Sequence, residues 1–497
     1  MKKIISLILV LFMASALFIS CGDDSPDSAD NNRGDNNAGI GVEDNNQDNE
    51  EETARERLQP DLPEMDFGGY TFTFYAHQIS YPGDWVGDAD PRELVAEEET
   101  ADPINDAVYR RNMTIKDRYN IEIEMITSSN DLGLIRRAVG AGDSTYDAAV
   151  IFNNNVGSVA TNNLLVNIEN LPFIDLNKPW WDPAVNSLSI ANQNFLMAGD
   201  LLILDNEATN ALLFNKDMMA NFGLDLPYQS VKDGTWTMDA LNEIIRDTAA
   251  DLDGSGVMTV NDRWGMCVYS DALHAFFVGG GGILVDKDEN DLPYISFTST
   301  QNISFIEKAM DLMYNTDYVI NISGRDHTDG LGMFEENRAL FYWMRMRVVE
   351  HFRGMESNFG IVPIPKYNDA QENYRSVVNP YSGVLLGVPR SAEDLDRVSI
   401  ILEALAAESR YTLQPAYYDV TLQRKYVRDD ESSDMLDIIF GTRVYDMGGI
   451  YAFGNVWIDF INLAGRNNRD IISFYERKTG SMEREIERAI EAFLSAG

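Results

Sequence analysis

The sequence predicts an α/β fold in two lobes, with mixed sheets flanked by helices. Two observations support this prediction. Strand and helix patterns alternate in the order strand, helix, strand, helix, strand over residues 70–152, which is typical of a largely parallel sheet covered by helices. The chain also keeps more than 400 residues of ordinary apolar content after its first 61, and one hydrophobic core does not usually accommodate that length.

The N-terminal segment predicts export. Lys2 and Lys3 precede an apolar run over residues 4–19, which is shorter than the roughly 20 residues that a membrane-spanning helix needs. We expect residues 1–20 to be a removed signal peptide. Residues 17–21 resemble the bacterial lipobox, in which the cysteine, here Cys21, is lipidated. The alternative is an ordinary secretory signal in which this cysteine is incidental.

Residues 21–61 predict an anchored tether. From residue 22 to about 56 the chain is mostly Asp, Asn, Glu, Gly and Ser, with almost no large apolar side chain. Such a segment lacks the surface to offset the entropy of ordering, so it is expected to be disordered. With palmitate or another acyl chain on Cys21, it would hold the folded part close to a membrane, at the outer face of the cytoplasmic membrane or in the periplasm.

The five elements of the alternation have distinct patterns. Residues 70–75 are β-branched and aromatic after two glycines, which predicts a strand. Apolar residues at helical spacing predict helices over Pro103–Tyr119 and Leu132–Ala141. Residues 121–126 alternate between apolar and acidic, which is typical of a half-exposed strand, and residues 146–152 form a short apolar run, which is typical of a buried strand.

Charge and motifs argue against two classes of function. The formal net charge of −41 disfavours nucleic-acid binding, since phosphate contacts depend on clustered Lys and Arg. The four histidines show no His-Glu-x-x-His spacing, and the chain has no Gly-x-Ser-x-Gly nucleophile motif. Residues 279–282 are four glycines without the Lys-Ser/Thr ending of a phosphate loop, so we interpret them as a flexible loop.

Several short motifs occur in an order that is shared with a known family over roughly 350 residues. They are residues 70–75, 146–152, 171–175, 178–181, 213–216, 234–237, 332–343, 361–367 and 383–389. Through them the chain resembles the extracellular solute-binding proteins of bacterial ABC importers, in the branch that takes up carbohydrates and includes the maltose-binding type.

The resemblance implies the periplasmic-binding-protein type II fold, in which the ligand lies in a cleft between two α/β lobes that close on it. Residues 62–204 and 380–407 are expected to form the N-terminal lobe, and residues 205–379 and 408–497 the C-terminal lobe. Independently of the family, open α/β sheets bind ligands beyond the carboxyl ends of their strands, and lobe interfaces are preferred pocket sites.

The resemblance further implies a non-enzymatic receptor, anchored to the membrane by lipid, that captures a sugar or oligosaccharide and delivers it to ABC permease subunits. We expect a monomer. Two alternatives stay open. One is a secreted glycan-degrading enzyme, and the other is a binding protein for peptides or other solutes, since one architecture hosts many ligands.

Trp343 is the leading candidate for a ligand contact. Sugar rings present apolar C–H faces that stack on aromatic rings. Trp343 ends the run at residues 339–343, and the resemblance implies a strand that leads into the cleft and carries a stacking tryptophan there. From the residues alone the alternative is a tryptophan that fills the core, because aromatic side chains are more often packing residues.

Polar residues add two groups of candidates. Asn153 and Asn154 follow a buried strand directly, where a loop would face the cleft. Asp205, Asn206 and Glu207 lie at the expected first crossing between the lobes. The side chains of these last three residues are expected either to accept sugar hydroxyls or to cap a helix. For Asn153 and Asn154 the alternative to a ligand contact is a plain polar turn.

The expected return crossing and the end of the first strand give the remaining ligand candidates. Tyr381 and Ser382 lie at the return crossing, as hinge residues, ligand contacts or both. His77 and Trp85 follow the first strand and would reach the same cleft.

Residues 251–262 resemble a calcium-binding loop. Calcium needs six to eight oxygen ligands around one point, and the EF-hand spacing provides them from a single sharply turned segment. The expected ligands are Asp251, Asp253, Ser255, the carbonyl of Val257, Thr259 and Asp262, with the turn glycine at 256. A structural Ca²⁺ ion would pin this loop. The alternative is a solvated acidic turn.

Three other features predict structural roles. The tandem Trp180 and Trp181 are expected to wedge a loop into the core. Thr237 is a good N-cap for the helix that follows, with Trp236 packed at its start. Cys267 is expected to be buried in a strand without a disulfide partner.

Overall fold

A computed structural model describes residues 57–77, 91–128, 132–422 and 430–496 of the chain. Leu58–Gly497 form one compact unit. The predicted signal peptide, the lipidation site Cys21 and the ligand candidate Trp85 lie outside the described residues.

The strands and helices follow in the order that the sequence leads one to expect for an α/β protein. The strands are β1 (Tyr70–His77), β2 (Ile121–Ser128), β3 (Ala148–Phe152), β4 (Asn210–Asn215), β5 (Trp264–Val268), β6 (Val285–Lys287), β7 (Pro293–Ile295), β8 (Val319–Asn321), β9 (Ala339–Arg345), β10 (Phe359–Val362), β11 (Ser376–Val377), β12 (Val384–Gly387) and β13 (Arg443–Val444).

The α-helices are α1 (Pro103–Tyr119), α2 (Leu132–Ala141), α3 (Asn153–Thr161), α4 (Leu204–Glu207), α5 (Lys216–Phe222), α6 (Tyr228–Lys232), α7 (Met238–Ile245), α8 (Ala272–Gly279), α9 (Thr300–Met313), α10 (His327–Glu335), α11 (Leu395–Ser409), α12 (Leu413–Leu422), α13 (Asp430–Gly441), α14 (Met447–Ile450), α15 (Val456–Gly465) and α16 (Ile471–Ala496). Short 3₁₀ helices cover Ile168–Asn170, Pro183–Leu188, Met346–Gly354 and Phe453–Asn455.

The first sheet has the strand order β12-β3-β1-β2. Strand β1 pairs in parallel with β2 and β3, whereas β12 adds to β3 in the antiparallel direction. The predicted alternation of strands and helices is confirmed, and β2 is half-exposed as its apolar and acidic residues indicate. Strand β1 runs two residues further than its sequence pattern predicts and ends at His77.

The second sheet has the strand order β10-β4-β9-β5-β8. Strand β5 pairs in parallel with β8 and β9, and β4 pairs in the antiparallel direction with β9 and β10. Strand β4 is buried along its whole length, which explains why it is apolar between its end residues rather than alternating. Both sheets are flanked by helices, so the protein has a mixed α/β fold.

The chain passes between the two sheets at two places in the described residues. It leaves the first sheet after β3 and enters the second through α4 and β4, and it returns to the first after β10, through β11, which pairs with β13 outside both sheets, to β12. Helix α11 packs with the first sheet, and the chain then continues into α12, which packs against α1. We call residues 205–209 the first crossing segment and residues 378–383 the return crossing segment. The lobe boundaries stay a prediction, because residues 58–497 form one compact unit.

The residues that we predicted to be structural are buried. Trp180 and Trp181 lie in the core beside the first sheet, and Trp236 donates its indole N–H to the carbonyl of Pro363 at 2.9 Å. Thr237 caps α7 by accepting the amide N–H of Ala240, as predicted.

Strand β5 contains Cys267, whose thiol is buried, as predicted. Burial raises the pKa of this thiol well above its ordinary value, so it stays protonated at neutral pH.

The interpretation of residues 279–282 as a flexible loop needs correction. Gly279 ends α8 and is buried, and a Cβ added at Gly280 would lie 3.1 Å from the carbonyl oxygen of Phe276. A Cβ at Gly282 would collide with the ring of Phe277. These glycines allow close packing of the backbone against aromatic rings.

The long helices do not provide a membrane span. Within the described ranges no helix combines the length and apolar character that crossing a bilayer requires.

Candidate ligand-binding site

Two of the predicted polar residues meet at one edge of the first sheet. His77 ends β1 and Asn153 follows β3, and these strands are parallel neighbours, so their carboxyl ends lie side by side. The ring of His77 stacks on Phe152 with centroids 5.8 Å apart. The first residue pair of β12 and β3 joins Val384 to Phe152, which brings the return crossing to the same edge.

The predicted loop at Asn153–Asn155 is wrong, because these residues form the first turn of α3. The helix begins directly after β3, and Phe152 in its N-cap position provides no side-chain cap. The helix packs closely on a distant segment: Gly157 lies so near to Tyr451 that an added Cβ would stand 2.7 Å from the carbonyl oxygen of Tyr451. The asparagines themselves do not reveal this tertiary contact, and such contacts can override local preference.

The return crossing contacts Asn153 closely. The amide N–H of Asn153 donates to the carbonyl of Gly383 at 3.0 Å. A Cβ added at Gly383 would lie 2.7 Å from Nδ2 of Asn153 and 3.0 Å from the side chain of Val378. Glycine is required here because the backbone passes directly over the asparagine side chain.

The second sheet reaches this edge through β9. Trp343 and Arg345 are two positions apart in the strand and therefore share one face. Nη1 of Arg345 donates to Oγ of Ser382 at 2.7 Å, which joins β9 to the return crossing. Trp343 itself is 0% exposed, so neither face of its ring is open to solvent in this structure.

An aromatic pair lies beside Ser382. Tyr381 stacks on Trp457 with ring centroids 4.7 Å apart and an angle of 18° between the planes. Trp457 belongs to α15, more than 70 positions further along the chain. The sequence prediction missed both Trp457 and Arg345. An arginine in an otherwise apolar strand was a usable signal, whereas nothing near Trp457 pointed to this edge.

Several buried polar atoms at this junction of the two sheets have no hydrogen-bond partner among the described residues. They are Nδ1 of His77, both side-chain polar atoms of Asn153, Oδ1 of Asn154, Oδ1 of Asn210, Nε1 of Trp343 and Nε1 of Trp457. Leaving a buried polar atom unpaired costs about 1–3 kcal/mol, and native proteins leave few of them. We call these residues the junction site.

His77 and Tyr381 are uncharged at neutral pH, whereas the guanidinium of Arg345, which binds Ser382, carries a positive charge. Burial lowers the pKa of His77 below its ordinary value, so the imidazole is neutral. Burial raises the pKa of Tyr381 above its ordinary value, so the phenol keeps its proton. The unpaired groups therefore suit a neutral ligand with many hydrogen-bonding groups.

Asp205 and Asn206 are not at the junction site but in a buried ionic cluster. Nη1 of Arg443 lies 3.2 Å from Oδ2 of Asp205 and also binds Oδ1 of Asn206, while Nε of Arg443 lies 2.9 Å from Asp182. The hydroxyl of Tyr445 lies 3.3 Å from Oδ2 of Asp205. Burial raises the pKa of Asp205 to about 6. These contacts favour a structural role.

Glu207 lies in a second ionic cluster. Its Oε1 lies 2.7 Å from Nη2 of Arg92, and its Oε2 lies 3.6 Å from Nη1 of Arg347. Arg92 also pairs with Glu350 at 2.9 Å, and Glu350 pairs with Arg353 at 3.0 Å. The cluster joins the segment before α1, the first crossing and the 3₁₀ helix after β9.

The predicted calcium loop brings its carboxylates together. One oxygen each of Asp251, Asp253 and Asp262 lies within 4.8 Å of the others. Asp251 accepts the amide N–H groups of Gly254 and Gly256, each at 2.7 Å, and these bonds hold its pKa below the ordinary value.

Other contacts close the loop on itself. Asp262 is buried and accepts the amide N–H groups of Leu252 and Thr259, so it folds the end of the loop back onto its start. The carbonyl of Val257 accepts the hydroxyl of Ser255 at 3.1 Å. The residues present therefore fit a cation of the Ca²⁺ type.

No protein-family model matches the sequence, and no curated protein matches it either. Solved structures do show likeness over nearly the whole folded chain. A cyclo/maltodextrin-binding protein complexed with maltotetraose has a TM-score of 0.53 at 13% identity, covering 88% of this chain and 98% of that chain.

Two further structures give similar values. UspC of M. tuberculosis has a TM-score of 0.52 at 15% identity, covering 86% of this chain and all of its own. RafE of Streptococcus pneumoniae, in its apo form, has a TM-score of 0.52 at 12% identity, covering 86% and 98%. The predicted fold class is confirmed: this is the two-lobed fold of solute-binding proteins, with mixed sheets flanked by helices.

Proposed function

We propose that this protein is a non-enzymatic receptor that binds a neutral sugar or oligosaccharide at the junction of its two sheets. The observation that carries the proposal is the group of unpaired, uncharged polar atoms at the junction site, beside the stacked rings of Tyr381 and Trp457. Sugar hydroxyls both donate and accept hydrogen bonds, so they suit amide and imidazole groups. Aromatic rings suit the C–H faces of the sugar.

Opening of the lobes would be needed for ligand entry. Trp343 is fully buried, so the predicted stacking on its ring requires an arrangement in which the two sheets separate. A ligand that contacts both sheets favours the closed arrangement only through its higher affinity for that arrangement. The hydrogen bond between Arg345 and Ser382 links β9 to the return crossing, so separation of the two sheets would stretch or break it.

The cellular role follows from the N-terminal sequence and the resemblance. We propose that the protein is exported, lipidated at Cys21 and held at the membrane as a monomer, and that it delivers its sugar to ABC permease subunits. Labelled palmitate should enter the wild-type protein but not Cys21→Ser, and the variant should be released into the soluble extracytoplasmic fraction.

Calorimetry of the folded protein tests the binding function. The panel is glucose, maltose, maltotetraose, xylose, glucuronate, neutral amino acids and trialanine. We expect saturable binding of a neutral sugar without turnover. Binding only of trialanine or amino acids would identify another solute class as the ligand. Hydrolysis of an oligosaccharide would favour the secreted glycan-degrading enzyme.

We also propose that the loop at residues 251–262 binds Ca²⁺ as a structural ion. The clustered carboxylates of Asp251, Asp253 and Asp262 support this proposal, with oxygens from Ser255 and Thr259 and the carbonyl of Val257 completing the expected ligand set. The ion would stabilise the loop before β5 and is not part of the junction site.

A further inference from the structure

A cavity lies next to the first crossing segment. Its volume is about 550 Å³, within the range of sites that bind small molecules. It shares no residue with the junction site. Asp200 and Asn206 line it from the first-sheet side of the fold, and the other walls are residues 410–419 with α13 and Arg443. We call it the hinge cavity.

Both arginines that line the hinge cavity are paired with carboxylates. Nη1 of Arg410 lies 3.1 Å from Oδ2 of Asp200, and Arg443 is held by the carboxylates of Asp205 and Asp182. Asp419 lies at the exposed rim. A charged ligand would have to break these pairs, whereas a neutral one would not, and the cost of leaving a buried charge unpaired is high.

Neutral hydrogen-bonding groups form the floor of the hinge cavity. Nε2 of Gln414 donates to the carbonyls of Asp200 and Leu202 at 3.0 and 3.1 Å, and its Oε1 accepts Nδ2 of Asn206 at 3.1 Å. These bonds fix the orientation of both amides and use both N–H groups of Gln414, while Arg443 binds Oδ1 of Asn206. The floor is therefore preorganised, and the capacity left for a ligand is a second lone pair on Oε1 of Gln414 and the second N–H of Asn206.

Aromatic rings form one wall of the hinge cavity. Tyr418 packs edge-on against Phe440 with centroids 5.7 Å apart, and Tyr411 lines the cavity near its opening. A concave site with aromatic rings, fixed amides and internally paired charges matches the chemistry of a small polyhydroxylated molecule, whose C–H faces pack on rings and whose hydroxyls bind amides.

We propose that the hinge cavity binds a neutral polyhydroxylated molecule of monosaccharide or disaccharide size. The bound molecule would contact Tyr418 of α12, which packs against α1, and Phe440 of α13, which packs against β10 of the second sheet. Because these helices belong to the two sides of the fold, occupancy favours the arrangement of the sheets that this structure shows. The inference uses none of the junction-site residues and does not rest on the proposed function.

Hydrogen exchange measured by mass spectrometry tests the inference locally on the full folded chain, with glucose and maltose as probes. At a sugar concentration ten times its Kd, exchange over residues 410–419 and 433–443 should slow by about tenfold, since protection rises as one plus the ratio of ligand to Kd. Glucose 6-phosphate is the charged comparison and should give no protection there.

A variant that fills the cavity provides the matched control. Ser433 lines the hinge cavity, and Ser433→Phe should abolish the protection of residues 410–419 while leaving any protection of residues 150–157 at the junction site. The same change at Ser304, which lines a different cavity between α9 and residues 367–371, should leave the hinge protection intact.

Three outcomes would overturn the inference: no protection by either sugar in the wild type, equal protection by glucose 6-phosphate, or protection that persists in a folded Ser433→Phe. If that variant does not fold, crystals of the wild type soaked in maltose decide the matter. Electron density for the sugar between Tyr418 and Gln414 supports the inference, and its absence at a soak concentration above the Kd contradicts it.

Discussion

The indole N–H of Trp181 donates to Oε2 of Glu403 at 2.7 Å, across 222 positions of the sequence. Trp180 donates to the other carboxylate oxygen at 3.0 Å, so both tryptophans of the tandem bind one side chain of α11. The carboxylate is almost fully buried. Helix α11 follows the return crossing, and this contact fastens it to the loop that precedes α4.

Replacing Glu403 by Gln should remove a pH dependence of stability. Burial raises the pKa of Glu403 from 4.5 to about 7, outweighing the two indole N–H bonds. The folded protein thus holds this proton more tightly than the unfolded chain does. The resulting stability is complete below about pH 4.5 and is lost as the pH rises through about 7.

Melting curves between pH 5 and pH 8 measure this effect. The free energy of unfolding of the wild type should fall by about 1–3 kcal/mol more than that of Glu403→Gln over this range. Asp396→Asn, an exposed change on the same helix, should follow the wild type. Parallel curves for Glu403→Gln and the wild type would show that Glu403 does not carry the dependence.

Replacing Asn153 by Leu should weaken sugar binding without destabilising the free protein. Both polar atoms of the Asn153 side chain are buried and unpaired. An apolar side chain of similar size therefore removes the desolvation cost of these atoms and breaks no hydrogen bond. Calorimetry with the sugar that gives the largest heat in the panel should show affinity reduced about tenfold or more, which is about 1.4 kcal/mol.

The control for this change is Asn302, a buried asparagine whose amide is satisfied. Its Nδ2 donates to the carbonyls of Ser296 and Ile283 at 2.8 and 3.2 Å. Asn302→Leu should lower the free energy of unfolding by about 1–3 kcal/mol and leave sugar affinity unchanged. Unchanged affinity in Asn153→Leu would remove Asn153 from the binding site.

Local patterns predicted much of the fold. The bounds of α1 and α2, the half-exposed β2 and the cap at Thr237 depend on neighbours within a few positions, so periodicity and capping rules find them. Strand β9, which the family resemblance implies, is present at Ala339–Arg345. The elements at the edges differ by about two residues because strand ends depend on the pairing partner.

Long-range contacts explain what the sequence did not predict. Arg345, Trp457 and Arg443 take their roles from partners that lie dozens to hundreds of positions away. Asn153 forms a helix turn rather than a loop, and this helix packs through Gly157 against Tyr451, a contact between distant positions. We predicted that Asp205 and Glu207 accept sugar hydroxyls or cap a helix, whereas the fold shows that arginines occupy their oxygens.

Calcium should raise the melting temperature of the wild type. A ligand that binds only the folded state at 100 times its Kd stabilises by about 2.7 kcal/mol. Asp251→Asn combined with Asp253→Asn should abolish the shift between excess Ca²⁺ and EDTA. Asp288→Asn is the control, since Asp288 also accepts amide N–H bonds in an acidic turn. An identical melting temperature of the wild type in Ca²⁺ and in EDTA would contradict the proposed calcium site.

Asp205→Asn tests whether Asp205 stabilises the fold or contacts the ligand. Asp205 is fully buried against Arg443, and removing its charge leaves this guanidinium with Asp182 as its remaining close carboxylate. Breaking a buried ion pair costs about 3 kcal/mol, so the melting temperature should fall clearly while the affinity for sugar stays as in the wild type. Calorimetry and thermal melting on the same sample give both values. The opposite result is a normal melting temperature with lost sugar binding. It would show that Asp205 contacts the ligand, as its position at the first crossing suggested.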